Sequence, residues 1–120
     1  MDEEKRSSIR LKKNLELQYL CESDPGSASW MMGISRDISE TGICFKSDKG
    51  FSPSQEIRIR VKFPFNPFEW MEMKARCVNV KGLSIGIYIV RATFLELEEK
   101  QKTAINAYLE WLVQKARENP

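Results

Sequence analysis

Two arginines near the start of the chain are spaced so that their side chains project to the same side. Arg6 and Arg10 are four residues apart, an interval that returns a side chain to one side in a strand and nearly so in a helix. Two adjacent guanidinium groups suit a ligand with two phosphates or with guanine edges, because arginine bonds guanine O6 and N7 bidentately and stacks on bases. Taken alone, such a charged segment is more often a solvated tail.

A second group of polar residues lies between two predicted strands, in the segment Asp37-Ile38-Ser39-Glu40-Thr41-Gly42. Asp37 and Ser39 offer an acceptor and a hydroxyl to the N–H groups of a purine, and Gly42 lets the backbone approach closely. The structural alternative is a tight connection in which Asp and Ser side chains cap backbone N–H groups. Arg36 is expected to point away from Asp37 in a regular strand, and it is left out of the predicted site.

The elements that must position these groups are mostly strands. In the clearest one, apolar residues at 57, 59, 61 and 63 alternate with Arg58, Arg60 and Lys62, which predicts one buried and one cationic face. The slip of apolar residues to Val78 and Val80 indicates a β-bulge near Cys77. We expect turns at 64–68, where two prolines occur, and at 81–82. The predicted strands are about 15–21, 29–36, 43–46, 57–63, 69–80 and 85–90.

The end of the chain has a different pattern. From about residue 97, apolar residues recur at spacings of three and four, which predicts an amphipathic helix of roughly five turns. Six short strands and one terminal helix favour a mainly β fold, a six-stranded antiparallel barrel or curled sheet capped by the helix. We expect a single domain over 14–117, preceded by a flexible N-terminal arm over 1–13.

Composition excludes several functions. The 120 residues carry a net charge of +2 and contain no histidine, which rules out a Ser-His-Asp triad, a Cys-His dyad and histidine-ligated metals. The dispersed Cys21, Cys44 and Cys77 indicate buried reduced thiols. Neither a membrane-spanning segment nor a signal peptide is predicted, so we expect a cytoplasmic protein. Because no nucleophile–base pair or metal cluster is visible, no cofactor, metal or enzymatic activity is expected.

The order of the two polar motifs resembles the PilZ domain. R-x-x-x-R precedes the first strand, and D-x-S-x-x-G lies between the second and third strands. The segments that follow are also similar to those of the family: 42–45 to the strand after the Ser-Gly motif, 76–80 to the central strand, and 84–94 to the last long strand. The resemblance covers about residues 5–115.

The resemblance implies a six-stranded antiparallel PilZ-like β-barrel with a C-terminal α-helix that binds the bacterial second messenger cyclic di-GMP. Carried over by position, Arg6 and Arg10 lie on the N-terminal arm and bind guanine and phosphate groups of the ligand. The residues that surround a guanine are then Asp37, Ser39 and Gly42. Family members often have a second basic residue just before the first motif arginine. Here it is Lys5, which keeps the charge without the planar fork of an arginine. One ligand or a stacked pair is therefore possible.

The leading hypothesis is a cyclic di-GMP receptor in which ligand binding orders the arm, and a downstream protein partner reads the new surface. One rival is a PilZ-like interaction module that binds no nucleotide and acts through Phe65, Phe68 or the helix; otherwise the two phenylalanines form a lid on one barrel end. The other rival binds single-stranded nucleic acid. It is disfavoured because the net charge of +2 is near neutral and surface aromatic residues are sparse. No aromatic residue interleaves with the cationic row on the fourth strand, and no DNA or RNA partner is expected.

Overall fold

The computed structural model describes residues 15–21 and 30–118, and within these ranges the chain forms six strands and one helix. The predicted arm over 1–13 lies outside the described residues. The elements are β1 (Glu16–Cys21), β2 (Met31–Ile38), β3 (Gly42–Ser47), β4 (Glu56–Phe63), β5 (Asn66–Ser84), β6 (Ile87–Leu95) and α1 (Glu99–Glu118).

The six strands form a closed antiparallel barrel in the order β1-β2-β3-β6-β5-β4, which confirms the predicted fold class. β1 closes the barrel because it pairs with β2 on one side and with β4 on the other. The register places Leu17 opposite Gly33 and Val61. Closure leaves no free sheet edge along β1 and fixes which side chains face inwards.

Strict alternation fills the barrel interior. On β4 the residues Ile57, Ile59 and Val61 are almost fully buried, whereas the intervening cationic residues are partly exposed. Tyr19 and Phe45 meet inside the barrel with ring centroids 5.5 Å apart. A predicted bulge is confirmed on β5, where the pairing with β6 shifts between Cys77 and Asn79.

Helix α1 packs against the barrel core with the stripe that its periodicity predicts. Ile105, Tyr108 and Leu112 are buried, and the ring centroid of Tyr108 lies 5.4 Å from that of Phe63 at the end of β4. Because the first turn is acidic and the last turn is basic, the side-chain charges also complement the helix dipole. Within the described chain, no helix is both long enough and apolar enough to cross a bilayer.

The β5–β6 turn lies further along the chain than the sequence predicts. Lys81 and Gly82 continue β5, and the chain reverses at Ile85-Gly86, where Gly86 has a positive φ of 77°. Both glycines are turn formers, but only Gly86 adopts the left-handed conformation that favours glycine. As a result β5 runs past its last residue paired with β4, Arg76, and the hairpin tip exposes Ile85 completely.

The two-proline segment forms a shorter turn than predicted. Only Pro64 and Phe65 are in the turn, and β5 already begins at Asn66. Phe65 stacks on Phe63 with ring centroids 5.4 Å apart, in agreement with a lid role, but Phe68 is 93% exposed. Phe68 therefore does not close the barrel end.

Candidate functional site

The predicted residues of the second motif lie at the junction of β2 and β3. Asp37 is the penultimate residue of β2, Ser39 begins the connecting turn, and Gly42 is the first residue of β3. Asp37 and Ser39 are exposed. Their side chains are therefore presented to solvent on the outside of the barrel, where a ligand has access.

Ser39 holds the turn together. Its backbone N–H donates to the Gly42 carbonyl oxygen at 2.9 Å, and its hydroxyl oxygen accepts from the Thr41 N–H at 3.2 Å. The same hydroxyl lies 3.0 Å from Thr41 Oγ1. The capping role expected of a serine in a tight connection is thus fulfilled, and the hydroxyl remains at the exposed surface.

Gly42 is required by a neighbouring strand. A Cβ at this position would lie 2.3 Å from the carbonyl oxygen of Ala92 on β6. The close approach that this glycine permits is therefore between β3 and β6, which differs from the predicted approach of backbone to ligand. Gly42 positions the turn by allowing β3 to pair closely at its first residue.

A β-bulge changes the predicted orientation of Arg36. The β2–β3 register shifts between Ser35, opposite Phe45, and Asp37, opposite Cys44. Ser35 and Ile38 are buried, whereas both Arg36 and Asp37 are exposed. The expectation that Arg36 points away from the site assumed a regular strand and is wrong, because the inserted residue leaves both side chains at the surface.

Opposite charges surround a buried thiol beside the turn. Cys44 pairs with Asp37 on one side and with Arg91 of β6 on the other. Burial raises the pKa of the Cys44 thiol and the Asp37 carboxylate raises it further, while the charges of Arg91 and Arg36 lower it. The thiol is neutral, and the surface around it combines a carboxylate with two guanidinium groups.

This combination suits a ligand with both amide-like donors and negative charge. A carboxylate accepts hydrogen bonds from the guanine N1–H and N2–H groups, and guanidinium groups bind phosphate or guanine O6 and N7. Sequence reasoning missed Arg91 because it lies 54 positions after Asp37 on another strand. For Arg36, the signal is the spacing of the buried residues. Ser35 and Ile38 are three positions apart, whereas a regular strand turns every second side chain to the same face, so an extra residue must lie between them.

Two further contacts connect the turn to its surroundings. The Glu40 carboxylate accepts a hydrogen bond from the Asn106 side-chain amide on α1. The N–H of Leu15, the first described residue, donates to the buried Ser35 hydroxyl at 2.8 Å. The turn therefore contacts the helix, and the chain enters the barrel next to the bulge that carries Arg36.

The predicted ligand residues of the N-terminal arm, Lys5, Arg6 and Arg10, lie outside the described residues. Of the predicted thiols, Cys44 and Cys77 are buried and free, as expected, while the side chain of Cys21 is outside the description. Among the described residues, no group of three or more His, Cys, Asp or Glu side chains is arranged to hold a metal ion.

The family model of the PilZ domain matches residues 4–111, and the chain belongs to this family. PilZ domains are known as cyclic di-GMP receptor and effector modules. The match spans both polar motifs, the barrel and most of α1. No curated protein sequence matches the chain.

Several solved structures share the fold. The Bacillus subtilis inhibitor of motility, MotI/DgrA, is 15% identical, with a TM-score of 0.68 over 91% of this chain and 50% of its own. K. pneumonia MrkH in its apo state is 12% identical, with a TM-score of 0.73 over 92% of this chain and 52% of its own. The PilZ domain of CeSA from a cellulose-synthesizing bacterium is 15% identical, with a TM-score of 0.58 over 85% of this chain and 95% of its own. The chain thus spans about half the length of the MotI and MrkH chains.

Proposed function

We propose that this chain is a non-catalytic cyclic di-GMP receptor that binds its ligand at the β2–β3 turn. The observation that carries the proposal is the exposed Asp37 carboxylate on the outer surface of a PilZ barrel, with Arg36 next to it on β2 and Arg91 on the other side of Cys44 on β6. Asp37 accepts the N1–H and N2–H donors of a guanine, and the exposed Ser39 hydroxyl adds a polar contact at the same turn. Gly42 contributes by fixing the position of the turn.

The N-terminal arm is close enough to reach this site. Leu15 is anchored beside the β2 bulge by its hydrogen bond to Ser35, and Arg10 lies only five residues earlier in the chain. An extended segment of that length spans at most about 17 Å, and the nine residues from Arg6 span about 30 Å. We infer that Arg10, Arg6 and Lys5 close over the ligand from the arm.

Phosphate binding then involves cations from two sources. Arg6 and Arg10 come from the arm, and Arg36 and Arg91 are supplied by the barrel. Whether they hold one ligand or a stacked pair is measured directly as the stoichiometry of a calorimetric titration. A partner protein reads the surface formed when the arm is ordered on the barrel.

Calorimetry with cyclic di-GMP tests the proposal, with cyclic di-AMP, GTP and linear pGpG as comparison ligands. Cyclic di-AMP should bind about 10- to 100-fold more weakly, because adenine presents the N6 donor where guanine presents the O6 acceptor, and losing one bidentate pair costs about 1–3 kcal/mol. Equal affinity for the two cyclic dinucleotides would refute guanine recognition.

Variants separate the residues of the site. Asp37→Ala and Arg10→Ala should each weaken cyclic di-GMP binding by about tenfold or more. The matched controls Glu110→Ala and Arg117→Ala remove the same charges from exposed positions on α1 and should leave the affinity unchanged. Melting curves of each unliganded variant show whether the fold is retained. A loss of affinity in the controls that equals the loss in the site variants contradicts the assignment.

Ordering of the arm needs its own measurement. Amide exchange over residues 1–13 should be rapid without ligand, because the segment is highly charged, and should slow at saturating cyclic di-GMP. Exchange in α1 over 105–112 serves as the internal reference and should change little. If the arm is equally protected with and without ligand, the ordering mechanism fails even though the nucleotide binds.

A second candidate function is an interaction module that binds no nucleotide. The observation that favours it is the 93% exposure of Phe68, the third residue of β5, since an aromatic side chain in this position offers apolar area to a protein partner. Calorimetry distinguishes the candidates, because this module gives no heat with cyclic di-GMP at protein concentrations of about 100 μM, where even a receptor with a Kd of about 10 μM binds most of the added ligand.

A further inference from the structure

The outer face of β4 and β5, together with the residue just before β2, carries a stacked arrangement of aromatic and cationic side chains, which we call the Trp–Arg face: Trp30, Arg60, Lys62 and Trp70. The Arg60 guanidinium carbon lies 4.3 Å from the Trp30 ring centroid and 4.8 Å from that of Trp70. The Lys62 ammonium lies 4.7 Å from the Trp70 centroid. The interpretation that no aromatic residue interleaves with the cationic row is therefore wrong, because the barrel brings one tryptophan from each side of β4.

Arg60 is held in position yet keeps hydrogen-bonding capacity. Its Nε and Nη2 atoms both donate to Gln18 Oε1, with an Nε–Oε1 distance of 2.8 Å. Three of the five N–H donors of the guanidinium group thus remain without a partner among the described residues. Because the Arg60 side chain already stacks on two indole rings in the free protein, it has less rotamer entropy to lose when a ligand binds.

The charges on this face are unequally matched. Arg58 pairs with Glu72 at 3.2 Å, and Arg76 pairs with Glu56 at 3.3 Å. Arg60 and Lys62 have no carboxylate partner in the part of the chain that the structure describes. Arg60 and Lys62, the cations of this face that contact tryptophan, are thus available to an external anion.

Exposed apolar area adjoins these two cations. Met32, whose sulfur accepts a hydrogen bond from Gln18 Nε2 at 3.2 Å, is 63% exposed, and Ile34 is 48% exposed. Tryptophan, arginine and methionine are enriched at the centres of protein interfaces relative to other surfaces, and Trp and Arg dominate binding energy there. Nothing about the proposed cyclic di-GMP site requires these residues, since Trp30 immediately precedes β2 and Asp37 lies near the other end of that strand, roughly 20 Å away.

We propose that the Trp–Arg face is a docking surface for a partner protein that presents acidic side chains flanked by apolar ones. The acidic groups bind Arg60 and Lys62, and the flanking side chains cover Trp30, Trp70 and Met32. A polyanion fits less well, because the exposed apolar side chains of Met32 and Ile34 adjoin the two cations, and apolar side chains of a protein partner cover them whereas phosphates do not. The proposal is independent of nucleotide binding.

Synthetic peptides test the charge requirement. The probes are fluorescein-labelled octapeptides that alternate Asp with Leu, Asn with Leu, or Lys with Leu, and the readout is fluorescence anisotropy on the full chain. The Asp–Leu peptide should bind at least tenfold more tightly than the Asn–Leu peptide and should weaken as salt is raised. The Lys–Leu peptide should not bind.

Two arginine variants on the same strand locate the site. Arg60→Gln should weaken the Asp–Leu peptide at least fivefold, whereas Arg58→Gln should change it less than twofold, because Arg58 already has Glu72 as a partner. Trp70→Leu should also weaken binding of the Asp–Leu peptide. It serves as a second variant if Arg60→Gln alters the melting temperature. Equal effects of the two arginine substitutions, or no preference for Asp over Asn, would overturn the proposal.

Two further titrations test for a different occupant of the Trp–Arg face. Vesicles with anionic lipid and a fluorescent thymidine decanucleotide are titrated in parallel, and Arg60-dependent binding to either one without binding to the acidic peptide refutes a protein partner. Cyclic di-GMP titrations of Arg60→Gln should match the unsubstituted chain. A failure of nucleotide binding in every variant therefore counts against the receptor proposal and leaves the peptide result intact.

Discussion

Replacing Gly42 with alanine separates a structural requirement of the β2–β3 turn from a ligand requirement. The new Cβ would lie 2.3 Å from the Ala92 carbonyl oxygen and 3.4 Å from Thr93 Cα. Both atoms belong to the backbone of β6, so no side-chain rotation relieves the overlap. We expect the first residues of β3 to move away from β6 by about 1 Å to restore ordinary van der Waals contact.

The cost of this movement follows from what it disturbs. Overpacking at a tightly packed site costs about 1–3 kcal/mol. The Phe94 N–H donates to the Thr41 carbonyl oxygen at 2.9 Å next to Gly42, and losing that hydrogen bond costs about 1 kcal/mol. The free energy of unfolding should therefore fall by about 2–4 kcal/mol. For a domain of this size that corresponds to a decrease in Tm of about 8–16 °C.

Thermal and urea unfolding followed by circular dichroism measure this change. The matched control is Gly82→Ala on β5, where an added Cβ has no atom within 4 Å and φ is not positive, so its Tm should stay within about 2 °C. Cyclic di-GMP affinity of Gly42→Ala is then measured at a temperature where the variant is folded. If Gly42→Ala melts as the control does, the argument from strand contact is refuted.

Two other predictions concern buried polar groups. Burial raises the pKa of Tyr108 to about 12 from its ordinary 10.0, so the unfolded chain loses this proton at a lower pH than the folded chain does. The stability present below pH 10 is therefore lost as the pH rises towards 12, and the free energy of unfolding falls by up to about 2–3 kcal/mol. Urea unfolding at pH 9.5 and 11.5 should show a smaller decline for Tyr108→Phe, and an unchanged decline would contradict this. Ser35→Ala should cost about 1–3 kcal/mol because the Leu15 N–H loses its acceptor, whereas the exposed control Ser84→Ala should leave the urea midpoint unchanged; a shared midpoint would disprove the role of this bond.

Local patterning was sufficient for the barrel. The alternation along β4 and the apolar slip at Cys77 are direct consequences of which side chains face the interior, so the sequence predicts both the strand and its bulge. The β5–β6 turn was misplaced because Gly82 and Gly86 are equivalent turn formers in the sequence. Only the backbone conformation, with its positive φ at Gly86, distinguishes them.

The candidate site was predictable only where a contiguous motif carries it. Asp37 and Ser39 are exposed at one turn, as their motif indicates. Arg36 and Arg91 were missed for two reasons: the first depends on a β-bulge, and the second on pairing with β3. The stacking of Trp30 on Arg60 was missed in the same way, because cross-strand contacts depend on register rather than on spacing along one strand.

The closure of the barrel also bears on how fast the chain folds. β1 meets β4 through residues roughly 40 positions apart, and β3 meets β6 across a similar or larger separation. Loop entropy must be lost before either pairing gains contacts, which places folding in the milliseconds-to-seconds regime of non-local β topologies rather than the microseconds of helical bundles. Substitutions along the β1–β4 seam should thus act mainly on the folding rate if that seam forms in the transition state, and on the unfolding rate if it closes last.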